Sequence, residues 1–230
     1  MNTITSNIDF ELYQNIEYPT IYTISFNSYS KPLIQSILHT TNIRGATVLE
    51  DYKSISFKAT DVKTYAQYED FLFSINKTRR ITYDTALRIV YSLSNQISYL
   101  LKSQAKCFHV FSRENILVID NNKFIYVSNE HLQNYNRENK TISFTCPFDK
   151  DNGFYSPEVL SINTIPYEIN YTNIYYSLAS FVIYVLFEKN VAENSTNIDT
   201  ILIEIKYTKL YWLLKRCLFE LPTERKLVYI

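Results

Sequence analysis

Residues Ser112 to Val127 read SRENILVIDNNKFIYV. Two apolar runs, Asn115–Ile119 and Lys123–Val127, flank Asp120-Asn121-Asn122. Short polar residues that tolerate left-handed backbone are what a tight turn between two strands requires. The stretch therefore predicts an antiparallel hairpin in the middle of the chain. Just upstream, Ala86, Val90, Leu93, Ile97 and Leu100 recur at steps of four and three, the apolar stripe of a helix. Thr82 is placed to cap that helix, and Asp84 stands in the first turn, where the helix dipole favours an acid. Further upstream, TIYTISF (Thr20–Phe26) reads as a strand. Leu33, Ile34, Ile37 and Leu38 form one helical face after Pro32, ATVLEDYKSISFKA supplies two strands around a polar turn, and Ala66–Ile75 reads as a short helix. Downstream, the polar stretch Ser128 to Lys150 reads as a long loop. Asn173 to Glu188 is apolar nearly all round, as a core helix is. Leu210, Leu213, Leu214, Cys217 and Leu218 repeat a helical face that Pro222 stops. Strands dominate before residue 62 and helices after it, so the expected class is α+β.

Composition removes whole classes of chemistry. The 230 residues carry 23 Lys+Arg and 23 Asp+Glu, a net charge of zero, which disfavours bulk electrostatic capture of nucleic acid or anionic membrane. Only two glycines occur, Gly45 and Gly153, where average usage would give roughly sixteen. Phosphate-cradling loops, dinucleotide fingerprints and nucleophile elbows all need clustered glycines, so none can be written here. Cys107, Cys146 and Cys217 have neither zinc spacing nor a disulfide framework, and His39, His109 and His131 are the whole histidine supply. No metal site and no cofactor are expected. The N-terminus lacks the basic start and apolar run of a signal peptide, and the longest near-apolar run, Tyr175–Phe187, is too short to span a bilayer. A cytoplasmic protein is expected. Asn, Ile, Tyr and Lys are abundant, the usage of an A+T-rich genome such as that of a large DNA virus or an intracellular parasite. A host-cell cytoplasmic or virion location would follow from a viral origin.

Five segments, in order, resemble the protein kinase superfamily. HTTNI (His39–Ile43) is similar to the H-P-N-I that follows helix C of kinases. SRENILVIDNNKFIYV resembles the catalytic loop K-P-E-N-I-L with the hairpin behind it. FYSPEVL (Phe154–Leu160) is similar to the A-P-E motif that ends the activation segment. IYYSLASFVIYVLFEKN (Ile174–Asn190) resembles helix F, and CLFELPTERK (Cys217–Lys226) resembles C-L-x-x-D-P-x-x-R. The resemblance implies a kinase-like fold with a reduced β-rich lobe over residues 1–61 and a helical lobe over 62–230.

Applied residue by residue, the same resemblance implies that the chemistry is lost. Phosphoryl transfer needs glycine-loop amides over the phosphates, a Lys held by a Glu, an Asp near the attacking hydroxyl, and Asn plus Asp on magnesium. Ser25, or an uncharged neighbour, stands at the lysine position, and residues 18 to 49 hold no acid to pair with it. With no glycine before Gly45, the phosphate-covering hairpin is expected to be degenerate or missing. His-Arg-Asp becomes Phe108, His109 and Val110, the loop lysine becomes Ser112, and the magnesium aspartate becomes Ser128. The helix F aspartate becomes Ile174, or Asn173 if the register slips by one. Asn115 alone keeps a catalytic-type side chain, while Glu158 and Arg225 match the family's structural ion pair. The implied function is that of a pseudokinase, a binding, scaffold or regulatory protein with a protein partner. Two alternatives are an unorthodox phosphotransferase using displaced residues such as Glu130 and Asp120, and an unrelated structural or virion-associated protein. Lys77-Thr78-Arg79-Arg80 reads either as a polar loop or as a basic patch for a partner.

Overall fold

The computed structural model describes residues 1–49, 52–151, 153–192 and 198–228. The chain opens with three antiparallel strands, β1 (Asn2–Ser6), β2 (Phe10–Gln14) and β3 (Ile21–Phe26). Alternation turns Phe10, Leu12, Tyr22, Ile24 and Phe26 to the core and leaves Glu11, Thr23 and Ser25 on the other face. Helix α1 (Lys31–Thr41) follows, with Pro32 in its first turn and Asn42 closing it in the left-handed region. Strands β4 (Thr47–Val48) and β5 (Ser54–Lys58) complete a five-stranded sheet in the order β1-β2-β3-β5-β4. Residues 50 and 51, part of the polar turn expected between the last two strands, lie outside the described residues.

Of the two expectations for the hairpin ahead of Ile21, degenerate or missing, the second is corrected: two paired strands precede Ile21. Its first strand was hard to read because NTITS is half-exposed or exposed throughout, so no buried face marks it. Pairing with β2 through the backbone holds it instead. The connecting turn, Asn7-Ile8-Asp9, contains no glycine.

Strand β6 (Val62–Thr64) leads into α2 (Tyr65–Asn76), which Thr64 and Gln67 cap reciprocally. Helix α3 (Tyr83–Tyr99) is capped by Thr82, whose hydroxyl accepts from the Thr85 amide, and it buries the anticipated stripe. After a π turn at Leu100–Gln104 come β7 (Lys106–Phe108), a short 3-10 turn at Arg113–Asn115, β8 (Ile116–Ile119) and β9 (Lys123–Tyr126). β8 and β9 form the predicted hairpin, with Asp120 and Asn121 both at positive φ, and β6 adds a third strand beside β8. A polar side chain deep in the interior joins these parts. Gln96 of α3 donates to Ser36 of α1 and to the Tyr126 carbonyl of β9, and accepts from the Tyr126 amide.

The stretch expected to be a long loop, Ser128 to Lys150, instead contains β10 (Leu132–Asn136) and β11 (Thr141–Phe144). Together with β12 (Tyr167–Asn170) they extend β7 into a four-stranded antiparallel sheet, β12-β11-β10-β7. Only Ile142 and Phe144 of this pair of strands are buried, so the polar composition that suggested a loop belongs to the exposed side of a sheet. Short helix α4 (Pro157–Leu160) precedes β12, and α5 (Asn173–Phe187) is buried over most of its circumference. The chain ends in α6 (Ile198–Ile201), α7 (Lys209–Cys217) and a 3-10 turn at Pro222–Glu224. α7 stops four residues earlier than Pro222 alone would require. The fold is mixed α+β with antiparallel sheets. Among the described residues no helix is long and apolar enough to cross a membrane.

Candidate functional site: a cleft closed by the first hairpin

The tip of the first hairpin folds back onto the segment 109–131. Asn7 is organised locally, its Oδ1 accepting from the amides of Asp9 and Phe10 in an Asx turn. That turn aims two side chains at the same place. Asn7 Nδ2 donates to Asn115 Oδ1 at 2.8 Å, and Asp9 Oδ2 accepts from the Ser128 hydroxyl at 2.6 Å and from Asn115 Nδ2 at 3.5 Å. The other Asp9 oxygen accepts from the Glu130 amide at 3.0 Å. Asp9 is 7% exposed, and Ser128 and Asn115 are buried with it. Asn129 adds a second tie, donating to Ser28 and Ser30 between β3 and α1. The sheet and the 115–130 segment are thus bonded together by hydroxyls, amides and one carboxylate.

Position 110 is closed for a different reason. Val110 has no exposed surface, and the backbone of Gly153 runs directly over it. A Cβ added at Gly153 would fall 2.5 Å from Val110 Cγ2 and 2.7 Å from the Tyr155 ring. Glycine is required there by close approach, not by backbone angle. Val110 is thus fully enclosed, and an isopropyl group cannot take a proton.

His109 lies in an aromatic cage formed by Phe144, Phe148, Tyr155 and His131. Its Nδ1 donates to the His131 carbonyl, which leaves Nε2 as the unprotonated nitrogen, buried and without a hydrogen-bond partner. Burial pushes the His109 pKa well below the ordinary imidazole range, with the neighbouring His131 reinforcing the effect. Burial also lowers His131, to about 4, against the pull of Asp9 and Asp149. Both rings are therefore neutral at physiological pH, and the Tyr126 hydroxyl donates to His131 Nδ1. Asn173, at the start of α5, donates from Nδ2 to the His109 carbonyl at 2.7 Å, and Ser177 one turn on accepts from the Phe111 amide. α5 is thus tied to residues 109–111 through Asn173 and Ser177, while Ile174 is fully buried.

Glu158 and Arg225 meet as the sequence reading anticipated. The guanidinium donates through Nη1 and Nη2 to both carboxylate oxygens of Glu158, through Nε to the Phe219 carbonyl, and it lies 5.0 Å from the Tyr176 ring centre. The Arg225 side chain is 0% exposed. Other candidates lie elsewhere. Ser25 faces away from the core, opposite Glu11 and Ser54, so the inward neighbours at the end of β3 are Ile24 and Phe26, both apolar. Ser112 is buried and its carbonyl accepts from the Asn115 amide. Asp120 turns its carboxylate to the Thr60 hydroxyl and to the Thr60 and Asp61 amides, and these hydrogen bonds hold its pKa below the ordinary value despite partial burial. Glu130 is exposed, with a pKa raised first by partial burial and then by Asp9 and Asp149. In the run Lys77–Arg80, Arg80 reaches the Leu186 carbonyl and Glu204, and Arg79 reaches Asp70.

Asn7 and Asp9 were not singled out from the sequence. An Asn-x-Asp turn is visible there, but its partners lie more than a hundred residues away. Among the described residues no group of three or more His, Cys, Asp or Glu is placed to hold a metal ion. No protein-family model matches this sequence, and no curated protein matches it at a significant level.

Proposed function

We propose that this chain is a degenerate member of the protein kinase superfamily that acts by binding a protein partner and does not transfer phosphate. Residues 1–61 would form the reduced small lobe and residues 62–230 the helical lobe. Support comes from element order: a hairpin, a third strand and a helix precede a helix-led region carrying a loop-hairpin, a P-E turn and a buried helix.

The observation that carries the loss of chemistry is Asp9. The hairpin that would cover phosphates with backbone amides instead packs its Asp9 carboxylate against Asn115 and Ser128, and both Asp9 oxygens are taken up by Ser128, Asn115 and the Glu130 amide instead of standing open to a metal ion. A phosphate there meets a negative charge and finds Asn115 Oδ1 already occupied by Asn7. Losing one preorganised electrostatic group lowers a rate by about 10²–10³-fold, and several are replaced here. The displaced-residue alternative is not favoured for Asp120, whose carboxylate is turned to Thr60 and Asp61.

The test is thermal shift with ATP, with and without magnesium, together with radiolabel transfer on the purified protein. No magnesium-dependent shift and no transfer are expected, and Val110→Asp should rescue neither. Transfer that disappears in Glu130→Ala or Asp120→Ala would overturn the proposal in favour of displaced catalytic residues. Affinity purification from the native host, with the captured proteins identified, addresses the partner.

A further inference from the structure

We propose that a second cavity, which shares no lining residue with the closed cleft, binds a small carboxylic acid with an apolar body. The cavity holds about 720 Å³, inside the range of about 300–1,000 Å³ usual for small-molecule sites. Its apolar walls come from α3 (Leu87, Val90, Tyr91), from α7 (Leu213) and from Leu227 after the last turn. The charged residues of the lining are two cations, Arg88 and Lys123, with no Asp or Glu, and the rest of its polar lining is uncharged hydroxyl and amide side chains such as Thr40 and Asn122.

Those cations are fixed but not neutralised. Arg88 Nη1 donates to Asn122 Oδ1 at 2.6 Å, and Lys123 Nζ donates to the Asn42 carbonyl at 2.6 Å. Both acceptors are uncharged, and among the described residues neither cation has a carboxylate within ion-pair distance. Asp120 is near enough to feel the Lys123 charge, yet its own hydrogen bonds run to Thr60 and Asp61. Asn42 after α1 therefore holds Lys123, and Asn122 of the β8–β9 turn holds Arg88, beside a hollow whose remaining lining is apolar or uncharged. An anion with an apolar body satisfies both halves: its carboxylate takes charge-assisted hydrogen bonds, and its body removes Leu87, Val90 and Leu213 from water. An inorganic anion would leave the apolar walls bare, and a cationic amphiphile would face two like charges.

Isothermal titration of the full chain with decanoate, decylammonium and acetate separates these cases. Decanoate should bind; decylammonium should be weaker by at least about tenfold, the effect of one charge-assisted hydrogen bond, and acetate weaker by at least about tenfold because it lacks the apolar body. The double variant Arg88→Gln, Lys123→Gln, which changes only polar side chains at the surface, should lose at least about tenfold in decanoate affinity. A second variant, Leu87→Trp, fills the hollow from a half-buried position and should abolish binding while the thermal midpoint reports that the fold persists. Equal affinity for decanoate and decylammonium, unchanged decanoate affinity in the double variant, or no heat with decanoate would each overturn the proposal.

Discussion

Two carboxylates are held by opposite means. Glu158 faces a fully buried guanidinium that grips both of its oxygens and is itself tied to backbone carbonyls. Asp9 is the more enclosed of the two carboxylates, but the donors that hold it are a hydroxyl, an amide side chain and a backbone amide, all neutral. The first arrangement is an ion pair whose halves both need each other. In the second, the surroundings were built of polar groups that could satisfy water as well as they satisfy the carboxylate. Charge is thus retained where it pins α4 to the end of the chain, and is diluted into neutral hydrogen bonds where the proposed function has no use for phosphate.

The largest expected effect tests the first half of that contrast. Arg225→Ala leaves Glu158 without its partner and should destabilise by about 3–5 kcal/mol, seen as a clear drop in the denaturation midpoint. Asp9→Ala should cost less, about 1–3 kcal/mol, because it strands the buried Ser128 hydroxyl and one amide but no opposite charge. Hydrogen exchange should rise across residues 5–12 in that variant and stay unchanged near Arg225. A loss for Asp9→Ala as large as that for Arg225→Ala would erase the distinction.

The third test uses acid. The ordinary imidazole pKa is about 6.5, while folded His131 sits at about 4 and folded His109 is also well depressed. Between those values the unfolded chain binds more protons than the folded one. Stability is therefore complete above about pH 6.5 and falls as the pH drops toward 4, by on the order of 1–3 kcal/mol. His131→Asn should flatten that decline relative to the natural chain, and parallel curves for the two would show that His131 does not carry it.

The smallest effect is a control. Lys77 ends α2 at a φ of 58°, with no role in either carboxylate site. Lys77→Ala should stay within about 0.5 kcal/mol. Lys77→Gly should gain a few tenths to about 1 kcal/mol, because glycine adopts the left-handed region without penalty.

Local pattern was legible and distant closure was not. Thr82, the α3 stripe and the turn at Asp120–Asn121 declare themselves within a few residues, since caps, helical faces and tight turns are short-range physics. The pair Glu158–Arg225 was reached through resemblance, because nothing local links the two. β10 was missed because none of its residues is buried, so alternation left no apolar signature there, and β11 because its alternating Ile142 and Phe144 span only four residues inside a polar stretch. The contact of the first hairpin with Asn115 and Ser128 was missed for a simpler reason. Asn7 and Asp9 look like any surface Asx turn until the chain brings Asn115 and Ser128 to them.

That closure also fixes an order of events during synthesis. The hydrogen bonds of Asp9 reach residues 119 and 121 positions further along the chain. When the first hairpin leaves the ribosome its partners do not yet exist, and long-range closure is slow even once they do. Until Glu130 has been made, the hairpin can pair with β3 but its tip must wait for its partners, with Phe10 and Leu12 lacking the full core that later buries them. Of the five-stranded sheet, the part translated first is the part whose docking is completed only after Glu130 has emerged.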